Sequence, residues 1–434
     1  MLRSRTHWLR TALLALAIAA PTQQAPAQDP KPQSTTRAKP LNGDATMAFE
    51  IYGFGMADAI YEFGQSNPDW FDVNRPSRLP SFEDEFGRDG RFWLSARQSR
   101  FGAKATHPDW HGKPFTAVFE FDLFGVGPDA GQTTIRPRHM YGQWGEFGAG
   151  QTNSVFMDVD VFPNTIEYWG PNGMLFFRNV MVWWQPINEK DGTRATIAIE
   201  RPGASGDLGL LSERIELQNV SPRFPAPDIS AEYRYGTGWG YLELAGVTRW
   251  FAWDDNIPND AFDLSGDEFG WGLSLSSNVN IDASKDDVLR LQVIYGEGVA
   301  NYFNDAPIDV GLRSNFGNTV TPVTGEALPI FGMSAYLDHR WNSSWTSSIG
   351  YSRVDVDNSD LQSIFAFKSG QYASVNVLYN PFSNFLVGPE FLWAHRDNFG
   401  DDLTGDPFDD FSFDNFRFQF SAKYSFSHKF GGSK

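Results

Sequence analysis

Seven basic and three acidic side chains stand out for what their spacing could do. Arg100 and Lys104 lie four residues apart, and Arg136 and Arg138 two apart. In an extended segment each pair therefore shares one face. Arg178, Arg290 and Arg396 fall in other segments of alternating polarity. Asp158, Asp160 and Glu167 sit together in VFMDVDVFPNTIEYWGPNGM (155–174), whose prolines and glycines mark a loop. Guanidinium groups facing such carboxylates across a narrow, partly water-excluded gap would set a transverse field. Such a field orients dipolar or anionic solutes and disfavours apolar ones. Arginine suits carboxylate recognition because its planar fork engages both oxygens. The plainer alternative is that each arginine neutralises a neighbouring acid, such as Glu120, Asp122, Glu232 or Glu390, and serves only the wall.

Catalytic chemistry is poorly supplied. The chain has no Cys and seven His. No Ser stands in a recognisable nucleophile context. His107 and His111 fall by an expected turn, and His428 lies on an apolar strand face. The expectation is no enzyme, no cofactor and no metal site. The acid-rich stretches 254–268 and 401–414 could hold divalent cations that bridge lipopolysaccharide. Their GDDLTGDPFDD run does not match the spacing of a calcium-binding loop between helices, so solvated loops are expected. The net charge of −18 argues against nucleic acid as a partner.

The elements that must position these residues are strands. In the last segment Phe416, Phe418, Phe420, Ala422, Tyr424, Phe426, His428 and Phe430 share one face. Arg417, Gln419, Ser421, Lys423, Ser425, Ser427 and Lys429 share the other. Sixteen segments of this kind are expected: 49–63, 91–106, 115–126, 134–145, 147–154, 175–185, 193–200, 229–236, 239–251, 268–279, 287–297, 329–340, 343–355, 364–379, 384–396 and 413–430. Connections after odd strands are mostly long and those after even strands mostly short. Loops sorted this way, with aromatics at 15% of residues despite a negative mean hydropathy, point to an all-β transmembrane antiparallel up-and-down barrel. One face of each strand would meet lipid and the other a wet lumen. The loop 155–174 would narrow that lumen.

The N-terminus agrees. Arg3, Arg5 and Arg10 precede an apolar run, and Ala25-Pro26-Ala27 offers a cleavage site, which is the pattern of a secretory signal. The expected organisation is a signal peptide (1–27), a flexible periplasmic lead-in (28–48), the barrel (49–430) and a short tail (431–434). The expected location is the outer membrane of a Gram-negative cell, among its lipid and lipopolysaccharide. The main alternatives are a barrel enzyme and a surface-binding adhesin. The lead-in is too short to supply the plug of an energised receptor-transporter.

RPRHMYGQWGEFGAGQTNSVFMD (136–158), ARQSRFGAKA (96–105) and GPEFLWAHRDNFG (388–400) resemble the DcaP-like family of trimeric outer-membrane porins. The resemblance implies a homotrimer of 16-stranded barrels passing small, often anionic, organic solutes by passive diffusion. The third long loop sits where general trimeric porins fold a loop inward, and matching SRFGAKA, RHMYG and FFRNV to the early strands of such porins nominates Arg100, Arg138 and Arg178 as an arginine ladder. The family's N-terminal coiled coil has no counterpart in heptads here, so a trimer would rest on the barrel walls.

Overall fold

A computed structural model of the chain describes residues 47–211, 217–257, 261–282, 284–400 and 412–431. The expected signal peptide, nearly all of the lead-in and most of the tail lie outside the described residues, as does most of 401–414. Sixteen barrel strands are present among the described residues. They are β1 (Ala48–Glu62), β2 (Arg91–Ser95 and Arg100–Trp110), β3 (Lys113–Phe124), β4 (Thr133–Trp144), β5 (Phe147–Asn153), β6 (Arg178–Asn188), β7 (Arg194–Glu200) and β8 (Val220–Arg223 and Asp228–Thr237). The second half comprises β9 (Gly240–Asp255), β10 (Gly266–Asn280), β11 (Asp287–Glu297), β12 (Pro329–Arg340), β13 (Trp345–Val356), β14 (Phe367–Phe382), β15 (Phe385–Asn398) and β16 (Ser412–Gly431).

Each strand pairs antiparallel with its neighbours in sequence. β1 closes the sheet by pairing with β2 on one side, as in Gly53↔Phe101, and with β16 on the other, from Ala48↔Gly431 to Glu62↔Arg417. Closure leaves no strand edge unpaired, which is what a sheet needs in hydrocarbon. Among the described residues no helix is long and apolar enough to cross a membrane.

The faces are inverted relative to a soluble sheet. On β16, Phe416 and Phe420 are 57% and 44% exposed, whereas Arg417, Gln419 and Ser421 are at most 1% exposed. The outward side chains are aromatic and aliphatic all round the wall, including Leu94, Ile135, Val182, Ile199, Leu244 and Phe391. The inward set is ionic and hydroxylic. A lipid-solvated exterior makes this the favourable partition.

Short turns lie at one end. Between β2 and β3, His111 and Gly112 both have positive φ, 51° and 85°. That is the backbone twist a tight two-residue hairpin demands. Long connections lie at the other end: L1 (63–90), L3 (154–177), L4 (201–219), L5 (256–265), L6 (298–328) and L7 (357–366), with a shorter L2 (125–132).

Two features were not expected. Strand β2 breaks at 96–99, and the break shifts which parity faces inward. Phe92 and Leu94 point outward before it and Phe101 after it. Arg97, which unbroken alternation sets opposite Arg100, instead turns inward onto Asp72 at 2.6 Å and is 1% exposed. Second, L4 and L6 build a small sheet separate from the barrel sheet, with Gly325 against the Trp253 ring. Val310–Ser314 pairs antiparallel with Val323–Ala327 and parallel with Gly206–Asp207. Beneath it, L3 and L6 share an apolar core with the upper wall, including Phe156, Leu175, Tyr302 and Phe303.

Candidate functional site: the constriction of the lumen

L3 leaves β5 and folds into the barrel. Its polar groups find partners on the inner wall because a loop removed from bulk water must satisfy its backbone there. Asp158 accepts hydrogen bonds from Arg234 Nη2, Tyr241 Oη and Ser276 Oγ, each at 2.6 Å. Asp160 accepts from Arg234 Nη1 at 2.6 Å. Its carbonyl accepts from Arg290 Nη1 at 2.5 Å and Asn278 Nδ2 at 2.7 Å. Further along, the Asn164 amide donates to Asp338 at 3.1 Å. The Ile166 and Glu167 amides donate to one oxygen of Glu390 at 2.6 and 3.1 Å. The return limb is tied by Asn172 Nδ2 to the Gly370 carbonyl (2.8 Å) and by the Gly173 amide to Ser352 Oγ (2.8 Å). L3 is therefore bonded to the inner face of the wall from β8 round to β15.

The three loop acids divide between two surroundings. Asp158 and Asp160 face a cluster on β7, β8, β9 and β11, comprising Arg194, Glu232, Arg234, Glu243 and Arg290, with Asp338 of β12 bonded to Arg290 at 2.5 Å. Glu167 is buried and accepts from the amides of Asn74 (3.1 Å) and Gly170 (2.5 Å). It holds L1 to L3.

The basic residues of the early strands form a different cluster on the wall of β2–β6. Arg136 makes a forked contact with Asp122, at 3.0 Å from Nε and 2.8 Å from Nη2. Arg138 bonds Glu120 at 3.0 Å and Asp122 at 2.9 Å. Arg100 reaches Glu120 only at 3.5 Å. Arg178 makes no ion pair among the described residues and lies against the Phe176 ring at 4.8 Å, within electrostatic reach of Arg136, Arg138 and Asp122. Tyr168 of L3 closes this cluster, with its ring stacked on Phe124 at 4.4 Å and its hydroxyl 2.6 Å from Arg138 Nη1. That hydroxyl also meets Arg136 Nη2 and Asp122.

Arg100, Arg136, Arg138 and Arg178 thus come together. Lys104 lies further along β2, opposite Glu50 in the β1–β2 register. Arg290 belongs to the opposite wall with Asp158 and Asp160. Arg396 is turned to loop backbone: it donates to the carbonyls of Leu79 at 2.8 Å and Phe365 at 2.9 Å. Sequence reasoning did not single out Arg194, Arg234, Tyr241 or Tyr168. The alternation of Asp228, Ser230, Glu232 and Arg234 along β8 was a usable signal for Arg234. Tyr168 had none, because a loop aromatic carries no periodicity.

The sequence profile of the DcaP outer membrane protein family matches residues 27–235. No curated protein matches the chain in sequence. Among solved structures, the outer membrane channel DcaP of Acinetobacter baumannii superposes with a TM-score of 0.68 at 20% identity, covering 87% of this chain and 97% of that one. An anion-selective porin from Comamonas acidovorans gives 0.51 at 10% identity, covering 88% and 100%. The trimer form of OmpT of Vibrio cholerae gives 0.51 at 13% identity, covering 88% and 99%.

Proposed function

We propose that this chain is a DcaP-like channel protein of the outer membrane that passes small hydrophilic solutes by passive diffusion, anions of carboxylate type before cations. The observation that carries this reading is the charge on the β2–β6 wall. Four guanidinium groups, those of Arg100, Arg136, Arg138 and Arg178, face two carboxylates, Glu120 and Asp122. The opposite wall carries more carboxylates than guanidiniums, namely Asp158, Asp160, Glu232, Glu243 and Asp338 against Arg194, Arg234 and Arg290. Opposite excesses across a narrowed lumen set a transverse field, and the basic side offers forks to an anionic solute. The anion selectivity of the Comamonas porin supports the same sign here.

We also propose a homotrimer. The aromatic outer wall and the trimer form of the Vibrio cholerae relative support it. Chemical cross-linking in membranes checks it: a ladder ending at three copies is expected, and monomer alone overturns it.

Single-channel recording in a planar bilayer under a potassium chloride gradient tests the selectivity. The reversal potential should move toward the chloride equilibrium potential, and Arg138→Ala should reduce that displacement. A reversal potential on the potassium side refutes the reading.

A further inference from the structure

We propose that Tyr168 is the positioning residue of the constriction, dividing its arginines into a pair locked to the wall and a pair left for the solute. The inference rests on the proposed anion passage. It begins from what a phenolic hydroxyl can do: donate one hydrogen bond and accept through its lone pairs. The Tyr168 hydroxyl stands at contact with an Asp122 oxygen, Arg136 Nη2 and Arg138 Nη1. Its proton goes to the carboxylate and its lone pairs go to the two guanidiniums, so its capacity is used in full. The ring is held by Phe124, stacked at 4.4 Å with 10° between planes. Arg136 and Arg138 are then engaged by Asp122, Glu120 and the hydroxyl together.

Arg100 and Arg178 lie on the same wall without such partners. Among the described residues Arg178 Nη1 is a buried nitrogen with no hydrogen-bond partner, and Arg100 Nε has no hydrogen bond beyond a long ion pair with Glu120. The nearest acid contact of Arg100 is 3.5 Å. Each rests on an aromatic face, Phe176 at 4.8 Å and Phe54 at 5.2 Å, which supports the cation without consuming a donor. A buried donor without an acceptor is an unmet hydrogen bond. The guanidinium that carries it is only half-buried, so a solute oxygen entering the constriction can engage that group. Tyr168 acts through Asp122: beside Arg136 and Arg138 it is the third donor to that carboxylate, which lies within electrostatic reach of Arg178.

Inorganic phosphate is the probe. Added to one side of a bilayer holding the full chain, it should compete with chloride and reduce single-channel current. Arg178→Gln and Arg100→Gln should raise the half-blocking phosphate concentration about tenfold or more. Arg136→Gln should change it less than threefold. Tyr168→Phe keeps the stacked ring and removes only the hydroxyl, and heat-modified gel mobility reports that it folds. It should shift both the reversal potential and the half-blocking concentration, because Asp122 loses one donor and its charge acts more strongly on Arg178. Wild type without chloride preference overturns the proposed passage and this inference with it. Chloride preference that Tyr168→Phe leaves unmoved, or equal losses in Arg136→Gln and Arg178→Gln, overturns only the division of roles.

Discussion

Replacing Arg234 with alanine should unfasten L3 from the wall without unfolding the barrel. Its guanidinium is 2.6 Å from each of three carboxylates, those of Asp158, Asp160 and Glu243, and its face lies 3.7 Å from the Tyr241 ring. Asp158 and Glu243 are each 1% exposed, so the truncation leaves buried charges without their main partner. Breaking a buried pair in this way costs about 3–5 kcal/mol. The lower end applies here. Asp158 keeps Tyr241 and Ser276, and Glu243 keeps Arg194 at 2.9 Å. About 3 kcal/mol is roughly two decades in the ratio of docked to undocked loop, since each 1.4 kcal/mol is about tenfold. The strand ladder of the barrel is untouched, so urea unfolding and heat-modified mobility should stay near wild type. Single-channel records should instead show added conductance substates and open-channel noise. Arg234→Lys, which keeps the charge and loses the fork, should fall between. A quiet, wild-type current from folded Arg234→Ala protein would refute the claim that this network docks the loop.

Two more outcomes follow from the loops and the wall. Arg75 is ion-paired to buried Asp305 at 2.7 Å and held between the rings of Trp70 and Trp169, each at 4.2 Å; Arg75→Ala should speed hydrogen exchange across L1 and 298–310 by about a hundredfold or more, for a cost of about 3 kcal/mol or more, and unchanged protection would count against the clasp. Gly150 has φ 128° and a Cβ there would lie 2.2 Å from the Met140 carbonyl, whereas a Cβ at Gly142 would meet nothing within 4 Å; Gly150→Ala should therefore lower the stability read by urea unfolding by about 1 kcal/mol or more, while Gly142→Ala leaves it unchanged.

The sixteen strands were legible because a membrane barrel writes its two solvents into every strand. Alternation at period 2 survives noise when one face must meet lipid and the other water. The expected bounds 287–297 and 329–340 match Asp287–Glu297 and Pro329–Arg340. The break in β2 was less visible, because parity alone does not say where a strand yields one residue. The buried ion pair of Arg97 with Asp72 explains why the strand gives way there. The extra sheet in L4 and L6 was invisible for another reason: Gly206–Asp207 lies about a hundred residues from Val310–Ser314, and strands of two to five residues are too short to declare a period.

Residue types and spacing alone decided that this chain closes into an outer-membrane barrel with charged side chains within, since the preference of aromatics for lipid and of ions for water is local and additive along a strand. Which arginine meets which acid was decided only by the tertiary structure. Asp158 and Asp160 went to Arg234, Arg194 and Arg290, Glu167 to L1, and the early arginines to Glu120, Asp122 and Tyr168. Coulomb attraction and hydrogen bonds between inward groups depend on distances across the lumen. Those distances are set by the path of L3 inside the closed wall, and no spacing along the sequence encodes them.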